Sequence, residues 1–489
     1  MTKPDQHTDK NKNFKLTDNQ QDIFNHFRKF IQDKTQKVFI LNGYAGTGKT
    51  TLVRFFIDEL REKELNYKLM ASTGRAAKIL SNATGVSATT VHSVIYSLKG
   101  FNQDIEEIAR QEDETGVDNT GQLFLNFELK IIGGNNKGCI YIVDEASMIA
   151  DVEDKNPTQA LFGDGKLLSN LLRYDPNGKF IFVGDECQLP PVGQDISPAL
   201  SAGYFEDTFN IAATEHKLTQ IVRQQADNTI ILAAEKLRKL YANPPQVKWG
   251  KLPLGNHRHI RLHTDTTSMI NDYLKTIMGR NYEKSTFISP TNNKCYDSNI
   301  LVRQSLGFKP TLQVGDLLLV TQNNSLSGLL NGDLVVVEQI KDVRYQKGTL
   351  SFLQVEVREL ATNKRVTQLM IENILYGRTP NLSQAEQKSL FIDFFRRMKD
   401  KGIKPKDPLF KERLSDDMFL NALRCVFGYT LTCHKAQGGE WNEVFIDIAR
   451  NLTYNAKAAA YQWAYTAVTR AKEQLHVVDD FFIDKSSTQ

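Results

Sequence analysis

Short unbroken apolar runs recur between helical patterns along most of this chain. VFILN (38–42), CIYIVDEA (139–146) and KFIFVGDE (179–186) carry Val, Ile, Phe and Tyr without polar alternation, and the last two end in acids. A strand that alternates buries one face, whereas an unalternated run buries both, as in a parallel sheet with helices on each side. Helix-like stretches such as TTLVRFFIDEL separate the runs. The same pattern returns in STFISP (285–290), EVFIDI (443–448) and QLHVV (474–478), which predicts a second parallel sheet.

Two stretches interrupt the pattern. Residues 96–138 begin polar and acidic and then carry QLFLNFELKII, which suggests a small β-hairpin insert. Residues 304–426 form the larger interruption, where TLQVGDLLLVTQ, DLVVVEQI and TLSFLQVEVREL read as strands and Asn331-Gly332 as a hairpin turn. This resembles an SH3-like β-barrel. It is followed by a helix that opens with a Ser383–Glu386 capping box. The expected fold class is therefore α/β, with two RecA-like P-loop domains in tandem, each split by an insert. The expected boundaries are 14–95 and 139–212 for the first domain and 96–138 for its insert. Those of the second domain are 213–303 and 427–489, with its insert at 304–426 and a solvated tail at 1–13.

Composition changes this picture little. Of 489 residues, 40% are hydrophobic and 24% charged, ordinary globular values that exclude wholesale disorder and collagen-like structure. A net charge of +4 leaves room for a local basic groove without requiring one. Five dispersed cysteines (Cys139, Cys187, Cys295, Cys425 and Cys433) form no CxxC pair, which argues against structural zinc and for free thiols in a reducing compartment. The polar N-terminal stretch and the lack of a membrane-length apolar run give the expectation of a cytoplasmic protein without membrane contact.

The first chemical signal is Gly43-Tyr44-Ala45-Gly46-Thr47-Gly48-Lys49-Thr50, with Thr51 next, between a predicted strand and a predicted helix. It fits GxxxxGK[ST] in full. Glycines let backbone N–H groups wrap phosphates, and the helix N-terminus favours an anion. Lys49 would reach the β- and γ-phosphates of ATP, and Thr50 would ligand Mg²⁺. Asp144-Glu145 closes the run CIYIV. An acid there can hold Mg²⁺, and Glu145 is placed to polarise an attacking water.

Further motifs are more specific. GDECQLPPVG (184–193), TLTCHKAQGGEW (430–441) and YTAVTRAK (465–472) follow in order. Together with the phosphate loop they resemble the superfamily 1 class B DNA helicases, the RecD-like and phage Dda-like enzymes related to the Pif type. The resemblance spans residues 16 to 472. It implies that Gln20, in LTDNQ, reads the adenine edge, although Thr17 or Asp18 as a helix N-cap explains the same residues. It implies that Gln188 senses the γ-phosphate, that Arg223 in LTQIVRQ and Arg470 contact it from the second domain, and that Gln437 and Gly438 lie near ATP. Forked, permanently charged guanidinium groups suit that task.

The resemblance also traces a strand. Thr73, His92 and Ser93 of the first domain and Thr291, Asn292, Thr432, His434 and Lys435 of the second would contact the DNA backbone. Such contacts fix position without reading sequence. Phe101, Phe124 and Phe127 in the first insert are candidates for a stacking platform or strand-separating pin, with the insert's own core as the alternative. The basic stretch RRMKDKGIKPKDPLFKER reads as solvated surface or DNA contact. His257, His259 and His263 read as a basic loop rather than a metal site.

The implied protein is an ATP- and Mg²⁺-dependent DNA helicase that travels 5′→3′ on single-stranded DNA and unwinds tailed duplexes. A translocase or partner-dependent subunit, an RNA helicase and a nucleotide-operated clamp are the rivals. A monomer is expected because one chain supplies both halves of the ATP site. Replication, repair, recombination and accessory partners stay open.

Overall fold

The computed structural model describes residues 15–115, 122–132, 138–153, 157, 159–221 and 228–486. The expected tail at 1–13 lies outside them.

The first helix, α1 (Asp18–Gln32), starts at a capping box in which Thr17 and Gln20 satisfy each other's backbone N–H. Its apolar stripe of Ile23, Phe24, Phe27 and Phe30 is buried, with Phe27 stacked on Phe56 at 4.0 Å between ring centres. Phe56 belongs to α2 (Lys49–Glu62). Between them runs β1 (Val38–Gly43), followed by β2 (Tyr67–Ala71), α3 (Gly74–Thr84), β3 (Ala88–Thr90), β4 (Ile140–Asp144), β5 (Lys179–Gly184) and β6 (Ala213–Leu218). These strands form one parallel sheet in the order β3-β2-β4-β5-β1-β6. Phe39 and Leu41 face a core with α1 and α2, while Val38 and Ile40 face a second core with Leu168, Leu171 and Phe205. Both faces of β1 are buried, which is why its sequence does not alternate.

The second unit contains α4 (Thr229–Ala242), β7 (Ile260–His263), β8 (Ser285–Ser289), α5 (Asn292–Ser305), β9 (Thr430–Thr432), α6 (Cys433–Ala436), β10 (Trp441–Ile446), α7 (Ala458–Val468) and β11 (Ala471–Val478). Its strands form a parallel sheet in the order β7-β11-β10-β8-β9. The mixed α/β architecture with two parallel sheets is thus the one expected.

Three expectations need correction. The first sheet does not stop at 212: β6 pairs with β1 from Val38↔Ala213 to Gly43↔Leu218. Its sequence, ATEHKL, lies half-exposed on the sheet edge and has no apolar run to announce it. The first insert is more than a hairpin. Tyr96–Phe101 pairs with Leu125–Leu129, and a third strand, Ala160–Phe162, joins from beyond 138. Asn331-Gly332 ends a longer loop rather than a two-residue hairpin. Gly332 has φ +97° and its N–H donates to the Val320 carbonyl. The tight turn is Gly348-Thr349, between the paired Lys347 and Leu350.

The second insert holds five antiparallel strands, ordered Arg365–Ile371, Leu350–Glu359, Leu334–Lys347, Leu317–Val320 and Cys425–Phe427. The helix Gln384–Asp400 carries the expected Ser383/Glu386 capping box. It packs against the first insert, where Phe101 meets Phe391 at 5.1 Å and Arg396 pairs with Glu112 (3.1 Å) and Asp113 (2.6 Å).

A buried ion pair joins the second unit to this insert. Arg303 on α5 meets Asp316 through two bonds of 2.7 and 2.8 Å, with 2% and 0% of their side chains exposed. The Tyr429 hydroxyl donates to the same carboxylate at 3.0 Å. Removing one partner of such a pair strands the other charge. Asp316→Ala should lower unfolding stability by about 3–5 kcal/mol, measured by urea denaturation. The double change Arg303→Met with Asp316→Leu should recover most of that loss.

Candidate nucleotide site and strand path

The phosphate loop leaves β1 at Gly43 and enters α2 at Lys49. Gly46 and Gly48 adopt φ of +79° and +82°, which glycine reaches without strain. Gly43 is fixed by space: a Cβ there would lie 2.8 Å from Lys49 Cγ. The Thr47 hydroxyl donates to the Tyr44 carbonyl at 2.8 Å and braces the turn. Lys49 Nζ donates to the carbonyls of Gly43 (2.6 Å) and Tyr44 (3.2 Å), folded over the loop it would share with phosphate. Thr50 and Thr51 stand half-buried in the first turn of α2.

Gln20 is buried beneath this loop. Its Nε2 donates to the Thr47 carbonyl at 3.1 Å and its Oε1 accepts from Thr17 N–H at 3.1 Å. Thr17 is the N-cap, so Gln20 ties the start of α1 to the phosphate loop.

Asp144 ends β4, adjacent to β1's neighbour β5 and opposite Ala71. Burial, then the charge of Glu145, push its carboxyl up to about 7, while Lys49 pulls the other way. Glu145 sits in the left-handed region at φ +50°, and its N–H donates to Asp144 at 2.9 Å. Oxygen donors from a carboxylate and the Thr50 hydroxyl suit a hard cation, and a cation beside Asp144 would relieve its desolvated charge.

The second unit closes on this site through α7. The Tyr465 hydroxyl donates to Asp185 at 2.6 Å and accepts from the Ala45 N–H of the phosphate loop at 3.2 Å. Thr466 accepts from Leu189 N–H at 2.9 Å, Gln462 donates to the Gln188 carbonyl at 2.9 Å, and Gln437 donates to the Leu189 carbonyl at 3.2 Å. The side-chain oxygens of Gln188 and Gln437 are buried without a hydrogen-bond partner. Arg470 is 4% exposed and donates to the carbonyls of Thr466 (3.0 Å) and Gly439 (3.2 Å) and to the Thr469 hydroxyl (3.1 Å). Gly438 adopts φ +73°. Arg223 lies outside the described residues. Sequence reasoning passed over Tyr465, Gln462 and Asp185, although Tyr465 and Asp185 sit inside motifs it had marked.

The strand residues fall into groups. Thr73, Thr291 and Thr432 each cap a helix, accepting from Ala76, Lys294 and Lys435 N–H at 3.2, 3.2 and 3.4 Å. Asn292, Thr432 and Lys435 line one cleft with Tyr296 and Arg378. Lys435 Nζ meets Asn331 Oδ1 at 2.5 Å, and burial lowers its ammonium to about 8. Burial and the Lys435 charge lower the His434 imidazole. Thr73, His92 and Ser93 do not line that cleft. Ser93 is exposed and donates to the Thr90 carbonyl at 2.7 Å. His92 lies 5.0 Å from the Phe162 ring, and burial lowers it to about 4.

The three pin candidates are packing groups. Phe124 is 5% exposed, Phe101 sits against Phe391, and Phe127 stacks on Phe162 at 4.8 Å. Phe101 and Phe127 each pack edge or face against another ring, and Phe124 is closed off by burial alone. His257 meets the Pro253 carbonyl, His259 meets Thr229 and His263 meets His476, so the three histidines face different partners. No helix among the described residues is long and apolar enough to cross a membrane.

Residues 15–246 match the AAA domain family, and residues 427–478 match the UvrD-like helicase C-terminal domain. The chain is 32% identical over 215 residues to the ATP-dependent RecD2 DNA helicase of Deinococcus radiodurans, covering 44% of this chain and 23% of that protein. It is 32% identical over 206 residues to the ATP-dependent DNA helicase dda of phage T4, covering 41% and 39% respectively. The chain thus spans less than half the length of either relative. A solved structure of two coordinating Pif1 helicases at forked duplex DNA is 18% identical, with a TM-score of 0.48, over 96% of this chain and 94% of that one.

The Tyr465 bridge makes a direct prediction. Tyr465→Phe deprives Asp185 of a buried donor and Ala45 N–H of its acceptor. It should cost about 1–3 kcal/mol in thermal or urea unfolding and should raise the KM for ATP.

Proposed function

We propose that this chain is a helicase of the RecD-, Dda- and Pif-like group of superfamily 1, an ATP-driven motor that moves along single-stranded DNA and unwinds duplex DNA. The observation that carries the reading is that α7 of one α/β unit grips the phosphate loop and the 185–189 segment of the other. A nucleotide held there couples to the relative position of the two sheets.

In this reading Lys49 exchanges the carbonyls of Gly43 and Tyr44 for the β- and γ-phosphates. Gly43, Ala45, Gly46, Thr47, Gly48 and Thr51 shape the cradle around them, and Gln20 holds the loop from below. Thr50 and Asp144 would hold Mg²⁺, which supplies charge neutralisation on the phosphate oxygens. Glu145 accepts the proton of the attacking water. Arg470, with Arg223, turns its donors from the chain to the γ-phosphate, a contribution of order 10³–10⁵ in rate for such residues. The buried oxygens of Gln188 and Gln437 sit at the junction where a change in phosphate state is felt by both sheets.

The strand lies across both units. Thr73, His92 and Ser93 hold it on one side, and Thr291, Asn292, Thr432, His434 and Lys435 on the other. Closing and reopening then shift one grip past the other, in the 5′→3′ direction. The antiparallel insert at 304–426, as an SH3-like barrel, covers the incoming strand. One chain suffices, since it carries both halves of the nucleotide site.

Tailed duplexes test this reading. Wild-type protein with ATP and Mg²⁺ should release the labelled strand of a 5′-tailed duplex and leave a 3′-tailed one intact. Glu145→Gln should bind ATP with near-normal affinity yet lose at least ~100-fold in turnover, the usual scale for a general base. Release from the 3′-tailed substrate alone would reverse the direction. Release from neither, with ATP hydrolysis intact, would favour a translocase or a partner-dependent subunit.

A further inference from the structure

Arg75, on the first turn of α3, is a residue to which the motor reading gives no task. Its guanidinium reaches out of the first unit and lies over the Trp441 ring of the second, 4.9 Å from the ring centre. Gly439 makes room for it: a Cβ there would lie 2.5 Å from Arg75 Nη2. Nη1 is fully buried and has no hydrogen-bond partner. The carboxylate whose field reaches this side chain is Asp333, and that group is engaged elsewhere, by Lys78 Nζ at 2.9 Å and Leu330 N–H at 2.8 Å. Lys78 also meets Glu359 at 2.6 Å.

Arg470 is a like charge whose field opposes the charge on Arg75. Arg470 donates to Gly439, the same glycine that Arg75 abuts. Two guanidinium groups are therefore enclosed together where the two α/β units meet. A buried charge with an unmet donor is costly unless an anion compensates it. Five donors in a planar fork suit the oxygens of a phosphate, which can take two of them at once. Helix α3 also begins one residue earlier, so its positive end adds to the same field.

We propose that Arg75 is a phosphate-binding residue at the junction of the two units, working beside Arg470. This rests on the motor reading, which supplies two sources of the same chemistry: the γ-phosphate of ATP and a phosphodiester of the bound strand. Binding either one neutralises the pair and draws α3 toward the Gly438–Trp441 segment. Arg75 then reports on one side of the junction what Arg470 reports on the other.

The test uses the full chain with Arg75→Met, which keeps the packed stem, and Arg75→Lys, which keeps the charge but not the fork. A fluorescent ATP analogue without DNA, and a fluorescent oligo-dT across a salt series, are the two probes. Arg75→Met should bind one probe at least 10-fold more weakly, while its ligand-free melting temperature stays equal or rises, because an uncompensated charge has been removed. A purely structural arginine would instead lower the melting temperature and leave both affinities alone, which overturns the proposal. Loss confined to the ATP analogue identifies the γ-phosphate. Loss confined to oligo-dT, with a salt slope shallower by about 0.7 per phosphate contact on a single strand, identifies the strand. Should the Met variant not fold, Arg75→Lys decides: weaker binding of one probe supports the proposal, and both affinities within twofold of wild type overturn it. Wild-type protein that binds neither probe would overturn the motor reading itself.

Discussion

Tyr465 is the contact on which the centre of this structure depends. One hydroxyl, sealed from water, donates to Asp185 and accepts from Ala45 N–H, so a helix of the second unit holds both the phosphate loop and the segment after β5. Gln462, Thr466 and Gln437 repeat that arrangement on the backbone of residues 188 and 189. A buried polar atom left unpaired is costly. Each of these bonds therefore fixes how far apart the two sheets can sit. A change of a few tenths of an ångström at the loop cannot stay local.

The same dryness explains the electrostatics. Asp144 is pushed up to about 7 because burial and Glu145 both oppose its charge. Lys49 has folded back on its own loop carbonyls, and Arg470 on those of Thr466 and Gly439. Arg75 has no such substitute at Nη1. These groups carry charge in a place that solvates it poorly, and the proposed motor would bring them phosphate oxygens and a divalent cation as partners.

How much of this was legible in the sequence follows from the range of each signal. The phosphate loop, Asp144-Glu145, an N-cap at Thr17 and the capping box at Ser383 depend on residues within a few positions of one another, and each lies at the element end where the pattern put it. The unalternated runs announced both parallel sheets because both faces of each central strand are buried. Strand β6 escaped notice because an edge strand needs no apolar run. The third strand of the first insert escaped because it arrives from residue 160. Phe101, Phe124 and Phe127 showed the alternation of a packed surface and an exposed platform equally well. Only the positions of Phe391 and Phe162 decide between the two. Arg75 sits two residues after the strand candidate Thr73 but drew no role from the sequence, since its contacts, Trp441 and Gly439, lie more than 360 residues away.

The most direct measurement is steady-state ATP hydrolysis with no nucleic acid, with single-stranded DNA and with RNA of the same sequence, for wild type and Lys49→Ala. The account predicts low basal turnover, stimulation by DNA of at least tenfold, weaker stimulation by RNA, and loss of all three rates in the variant. Hydrolysis that is indifferent to both polymers, or that survives in Lys49→Ala, would contradict it.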